Sequence, residues 1–106
     1  MVVKRYNKLV RDQIPQIIEK TGKKAIVQKV EGNQYLNLLR EKLQEELQEY
    51  LESGSIEELA DLVEVVYGIL AYKNISNCEF EKIRENKNRE RGSFKEALML
   101  IEVIEE

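Results

Sequence analysis

The sequence contains no histidine, one cysteine and one proline among its 106 residues. Without His, a Ser-His-Asp triad, a Cys-His pair and a His-ligated zinc site are all excluded within one chain. The single Cys78 can form neither an internal disulfide nor a thiolate zinc cluster. Because Pro and Gly are sparse, we find no linker, no internal repeat and no low-complexity tract. The length and this even composition predict a single domain over residues 1–106.

Long apolar runs are also missing. The longest one is interrupted by charge and falls far short of the roughly 20 residues that span a bilayer. The N-terminus shows no signal of the secretory type, and one unpaired cysteine fits a reducing compartment. We therefore expect a soluble, cytoplasmic protein without a membrane partner. The net charge of -3 argues against a nucleic-acid polymer as its partner.

The periodicity of the apolar residues predicts a mainly α-helical bundle of about four helices. The predicted helices are a short one from Asp12, its cap, to Gly22, a long one over 34–53 between Asn33 and Gly54, one over 56–72 after Ser55, and one from Ser76 to Gly92. Residues 24–30 form a short segment rich in β-branched side chains, which is typical of a strand. Residues 94–104 fit either a helix or a strand. A small β element built from these two segments is therefore an additional expectation.

The helix predicted over 56–72 is apolar over more than half of its circumference. Its apolar residues are Leu59, Leu62, Val63, Val65, Val66, Ile69 and Leu70. A helix of this kind is covered on several sides, and a domain of this size has few elements with which to cover it. The pattern therefore predicts that the bundle is completed as a dimer.

Acidic residues dominate residues 41–64, which carry nine acids and one base. The acids form two motifs, Glu45-Glu46-Leu47-Gln48-Glu49 and Glu58-Leu59-Ala60-Asp61. A three-residue step places two carboxylates on one face of a helix, so two packed helices would gather four of them. At 4 Å and an effective dielectric constant of about 20, each pair of like charges repels by roughly 4 kcal/mol. Such a cluster requires a cation or must take up protons.

The leading interpretation is a divalent-metal site whose ligands are Glu46, Glu49, Glu58 and Asp61. Hard oxygen ligands suit Mg²⁺ or Mn²⁺, and Mg²⁺ often binds together with phosphate. The competing interpretation is a solvated acidic face, in which Glu58 closes a capping box with Ser55. Glu45 points away from the apolar stripe, so it is either a solvated side chain or a group that orients water.

Basic residues cluster at two other places. Residues 1–11 hold four bases and no acid, and residues 82–95 hold six bases and two acids. Arg offers a planar fork for phosphate oxygens and Lys a point charge, so these segments could capture phosphate beside a metal. The alternative is that they provide solubility and form ion pairs with the acidic helices.

The acidic motifs together resemble those of the MazG-like all-α nucleotide pyrophosphohydrolases. The opening segment is similar to that of the subgroup often described as phosphoribosyl-ATP pyrophosphohydrolase-like, and reads Tyr6-Asn7-Lys8-Leu9-Val10-Arg11-Asp12-Gln13-Ile14-Pro15. The closing Lys and Arg-Gly-x-Phe pattern of that subgroup is matched by Lys87 and Arg91-Gly92-Ser93-Phe94. The resemblance covers nearly the whole chain.

The resemblance implies a Mg²⁺-dependent hydrolase that converts a nucleoside triphosphate to a monophosphate and pyrophosphate. The implied role is house-cleaning of the nucleotide pool, that is, the removal of unwanted nucleotides. It implies that Glu46, Glu49, Glu58 and Asp61 bind the metal and that Glu45 assists the attacking water. Phosphate would be bound by Lys8, Arg11, Lys87 and Arg91. The family also forms homodimers or dimers of dimers.

Two alternatives to this function stay open at the level of the sequence. The first is true phosphoribosyl-ATP hydrolysis in histidine biosynthesis. The second is a non-catalytic helical module that keeps the fold for oligomerisation or regulation. Metal binding separates the second alternative from the enzymes, and a comparison of substrates separates the first from general hydrolysis of nucleoside triphosphates.

Overall fold

The computed structural model describes all 106 residues and contains four helices and no β-strand. The helices are α1 (Ile14–Lys20), α2 (Gly32–Ser53), α3 (Ile56–Tyr72) and α4 (Asn77–Arg91). The prediction of a mainly helical chain with about four helices is thereby confirmed. No helix among them could serve as a membrane span. The chain forms two compact units, Met1–Asn74 with α1 to α3 and Ile75–Glu106 with α4.

Local capping sets several of the helix boundaries, although the predicted Asn33 cap of α2 was wrong: the N-cap is Glu31, which makes no side-chain capping bond, and Asn33 lies inside the helix. The Ser55 hydroxyl accepts a hydrogen bond from the Glu57 N–H, so α3 begins at the predicted residue. In the second unit, the Ser76 hydroxyl accepts from the Glu79 N–H at 3.1 Å and starts α4. Helix α2 ends at Gly54, whose φ of 67° is the left-handed conformation that glycine adopts without a steric penalty.

The predicted start of α1 was wrong in one respect. Asp12 does not cap the helix, because Gln13 occupies the N-cap position and makes no side-chain capping bond. Pro15 lies in the first turn, where its missing N–H has no intrahelical partner to lose. The fixed φ of proline thus provides the start signal that the Asp12 carboxylate was expected to give.

The expected β element is absent. Residues 24–30 and residues 94–104 form neither strands nor helices. A helix through the second segment is interrupted at Ala97, whose φ of 54° is left-handed. A strand exists only through hydrogen bonds to a neighbouring strand, and β-branched composition supplies no such neighbour. Both segments are therefore irregular stretches of chain.

Helices α2 and α3 pack against each other in the first unit and hold its small core. Three apolar side chains are buried, Leu39 on α2 and Val65 and Leu70 on α3. The helices come so close that a Cβ added to Gly68 would lie 3.0 Å from Leu39 Cδ2. The fourth buried residue is an acid, Glu46, so the contact between these helices combines apolar packing with a carboxylate.

We expect Leu39→Ala to lower the free energy of unfolding by about 2–5 kcal/mol, the range for a truncated core leucine. The exposed Gln44 lies on the same helix, so Gln44→Ala is the matched control and should change stability by less than about 0.5 kcal/mol. Urea denaturation followed by circular dichroism measures both variants. Equal stabilities of the two variants would show that Leu39 does not anchor the helix pair.

Candidate metal centre

Three of the four predicted metal ligands come together where α2 packs against α3. One carboxylate oxygen from each of Glu46, Glu58 and Asp61 lies within 4.8 Å of the others. Glu46 projects from α2, whereas Glu58 and Asp61 lie one turn apart on α3. Glu46 is buried and the two acids of α3 are half-buried. The three-residue step and the pairing of the helices thus bring together three of the four acids that the sequence predicted as ligands.

Glu46 is the most unusual member of this cluster. The residue is only 6% exposed, and the Oε2 atom of its side chain has no hydrogen-bond partner. Burial raises the pKa of this carboxyl group, the neighbouring Glu49 raises it further, and the ammonium group of Lys42 opposes both effects. A buried oxygen without a partner is destabilising by about 1–3 kcal/mol, so it requires an explanation.

Glu49 is placed less decisively than the other predicted ligands. It lies half-buried on α2, close enough to Glu46 to influence the pKa of that carboxyl group. It is not one of the three residues whose oxygens lie within 4.8 Å. Its role as a ligand stays a prediction.

The N-terminal segment brings two of the predicted phosphate-binding residues to the acids. Lys8 Nζ donates a hydrogen bond to Glu45 Oε1 at 2.8 Å, and Arg11 Nη2 donates to Asp61 Oδ1 at 2.6 Å. These are the ion pairs that the alternative interpretation of the basic residues proposed. The fold thus supplies the acids with two basic partners from a segment far away along the chain.

Lys42 is a member of the site that the sequence analysis missed. Its Nζ atom lies 3.4 Å from Glu45 Oε1 and 3.3 Å from Glu46 Oε1. The side chain is only 17% exposed, which makes Lys42 more buried than the Lys8 and Arg11 side chains. The spacing was the available signal, because residues three and four apart on a helix are neighbours.

Glu45 is held as an anion. The hydrogen bond from Lys8 lowers the pKa of its carboxyl group, burial opposes this shift, and the charge of Lys42 reinforces it. Reciprocally, the bond to Glu45 raises the pKa of Lys8. A carboxylate stabilised in this way is a weak proton acceptor, so Glu45 is better suited to orient a group than to remove a proton.

The charges of the whole group do not cancel. Lys8, Arg11 and Lys42 provide three positive charges against the five carboxylates of the two acidic motifs. The difference is two negative charges when every group is ionised. One divalent cation would neutralise it.

A cleft of about 280 Å³ opens beside the cluster. Its walls come from the N-terminal segment, α1, α2 and α3, and consist of Lys8, Val10, Arg11, Ile14, Lys42, Glu46 and Asp61. This volume is close to the lower end of the range for small-molecule pockets, which starts at about 300 Å³. All three cations therefore face the same small space as the buried acid.

The remaining predicted phosphate-binding residues, Lys87 and Arg91, lie on α4 in the second unit. Both are exposed, and Arg91 lines a surface depression formed by residues 91–98 of that unit. Their role toward phosphate stays a prediction.

Comparisons with known proteins returned no match to a family model, to a curated protein or to a solved structure.

We expect Glu46→Gln to raise the melting temperature at pH 7 in buffer that contains a chelator. The pKa of the folded carboxyl group is raised, so the stability provided by its protonated form is complete below the ordinary value of 4.5 and is lost as the pH rises through the folded pKa. Glutamine removes the buried charge, and the gain should shrink as the pH falls below 4.5.

The matched control is Glu64→Gln, because Glu64 is exposed on α3. Its melting temperature should equal that of the wild type at pH 7. If Glu46→Gln melted below the wild type at pH 7, the ion pair with Lys42 would outweigh the effect of burial.

Proposed function

We propose that this protein is a Mg²⁺-dependent nucleoside triphosphate pyrophosphohydrolase that releases a nucleoside monophosphate and pyrophosphate. The observation that carries the proposal is the unpartnered Oε2 atom of buried Glu46, which lies beside the carboxylates of Glu58 and Asp61. The resemblance of the acidic motifs to the MazG-like family supports the same reaction. A role in cleaning the cytoplasmic nucleotide pool follows from that resemblance.

The donor set fits Mg²⁺, with Mn²⁺ as a substitute. Glu46, Glu58 and Asp61 offer only carboxylate oxygens, the ligands that hard divalent cations prefer. A cation at this position would give the Glu46 Oε2 atom the partner that the protein does not supply. It would also balance the two excess negative charges of the group.

The cations of the cleft are suited to bind the phosphate chain. Arg11 presents a planar fork toward the cleft, and Lys8 and Lys42 provide point charges in the same space. Because Arg11 already pairs with Asp61, binding of a phosphate would exchange one charge-assisted hydrogen bond for another. Bound Mg²⁺ would supply Lewis-acid polarisation of phosphate oxygens and a more acidic water. Glu45 keeps Lys8 oriented toward the cleft.

We also propose that the protein acts as a homodimer or as a dimer of dimers. The α2–α3 pair leaves apolar side chains uncovered on both helices, namely Leu47 and Leu51 on α2 and Val63 and Tyr67 on α3. In each helix these residues are four apart and form a row on one face. A second copy that packs against these rows would provide additional apolar contacts. The core of one chain, with three buried apolar residues, does not provide them.

One observation favours a second candidate, the non-catalytic helical module. The ion pairs Lys8–Glu45 and Arg11–Asp61 neutralise part of the acidic cluster with the protein's own cations. A domain that needs the cluster only for structural cohesion would show the same pairs. Metal binding separates the two functions, because the structural role needs no divalent ion.

Isothermal titration calorimetry with Mg²⁺ and Mn²⁺ tests the metal site directly. We expect saturable binding of Mg²⁺ by the wild type and by Glu64→Gln, and a loss of binding in Asp61→Asn, which removes one charged ligand. The absence of heat with either ion would favour the non-catalytic module.

We expect Glu46→Gln and Asp61→Asn each to reduce Mg²⁺-dependent release of pyrophosphate by more than about 100-fold while the helical content is retained. The reason is that the metal contributes several kcal/mol of charge stabilisation in the transition state. A screen of canonical and modified nucleotides, including phosphoribosyl-ATP, measures this release with the products resolved as monophosphate plus pyrophosphate or diphosphate plus phosphate.

The control variant Glu64→Gln should turn over substrate at the wild-type rate. Wild-type turnover by Glu46→Gln or by Asp61→Asn would show that the ligand assignment is wrong. Release of a diphosphate and phosphate would instead contradict the proposed reaction while leaving the metal site in place.

A further inference from the structure

The C-terminal segment of the second unit exposes a continuous apolar sequence. From residue 98 to residue 104, every residue except Glu102 is a large apolar one, and each of these side chains is at least 73% exposed. The backbone from residue 98 to residue 106 makes no hydrogen bond within the chain. An unpaired, apolar and β-prone segment is a template for pairing with another strand.

A second segment in the first unit has the same properties. Residues 24–30 contain the exposed Ile26 and Val27, and their backbone also makes no hydrogen bond within the chain. Both segments have the composition of strands, and neither has a neighbour with which to form one.

The charges of the two segments are complementary. Residues 24–30 contain two basic residues and no acid, Lys24 and Lys29, and Lys23 precedes them. Residues 98–104 contain one acidic residue and no base, Glu102, and Glu105 and Glu106 follow them. Opposite charges on facing strands favour pairing, whereas two copies of either segment would repel each other. The charges therefore select the unlike segment as the partner.

A second copy of this chain can supply the partner of both segments. Neither segment is hydrogen-bonded within its own chain, and the second copy offers each of them a segment of opposite charge.

We propose that residues 24–30 of one copy and residues 98–104 of a second copy pair as β-strands. In a two-fold dimer the exchange is reciprocal, so both exposed segments of both copies gain a partner at once. This interface is independent of the proposed pyrophosphohydrolase activity, and its test does not use turnover.

Mixed cross-linking tests the pairing. Two proteins are prepared in a Cys78→Ser background, one with Val27→Cys and the other with Val103→Cys, and they are mixed with a short bismaleimide. We expect a product of twice the 12.5 kDa chain mass. The matched control replaces Val27→Cys by Glu64→Cys, which is exposed on α3 and should cross-link at least tenfold more slowly.

Two outcomes of this experiment would overturn the proposal. One is an equal rate of cross-linking in the control mixture. The other concerns a double variant that carries both Val27→Cys and Val103→Cys. If its two cysteines are cross-linked within one chain, at a mass of 12.5 kDa, while the mixed proteins do not react, the proposal is wrong. That result would place the pairing inside a single chain.

Charge reversal provides the second test. We expect the triple variant Glu102→Lys, Glu105→Lys and Glu106→Lys to raise the Kd of the dimer at least tenfold in analytical ultracentrifugation. The reversal of Lys23, Lys24 and Lys29 to Glu should do the same, and combining both sets in one chain should restore the wild-type Kd to within threefold. A wild-type Kd in both separate triple variants would contradict the proposal.

Discussion

The burial of one carboxylate between two packed helices is the constraint on which the rest of the structure depends. Glu46 is enclosed at the contact that also buries Leu39 and Val65, so the helices cannot pack without removing its charge from water. A buried charge is tolerated only when it is paired, protonated or bound to a cation. Lys42 reaches one of its oxygens and leaves the other without a partner. The other charged groups of the site compensate for this buried negative charge.

The cations around the cleft have two uses that compete for the same groups. Lys8 and Arg11 neutralise Glu45 and Asp61, and they also face the space where a phosphate chain would lie. A salt bridge that is partly exposed contributes about 0–1 kcal/mol, so such pairs are readily exchanged for contacts with a ligand. The same weakness explains why these pairs cannot by themselves exclude a metal from the cluster. The geometry is thus compatible with a binding site. A solvated acidic face would not require cations arranged around a buried acid.

A small apolar core accompanies this polar centre. Three apolar side chains are buried, whereas many large apolar residues are exposed on the paired helices and in the C-terminal segment. Burial of apolar surface provides about 25 cal/mol per Å², so uncovered side chains of this number represent a large unused contribution to stability. Association of copies would recover it. The acidic cluster is thus the basis of the proposed metal site, and the uncovered surface is the basis of the proposed association of copies.

The sequence by itself determined the helices, because capping and periodicity are local: Ser55, Gly54 and Ser76 mark boundaries that the structure confirms. It also determined that Glu46, Glu58 and Asp61 could meet, because the three-residue spacing fixes the face of each helix. Only the tertiary structure decided which carboxylate is buried and which cations reach the acids, because Lys8 and Arg11 approach from a distant segment. The absence of strands was likewise decided there, because a strand depends on a neighbour that no local pattern can supply.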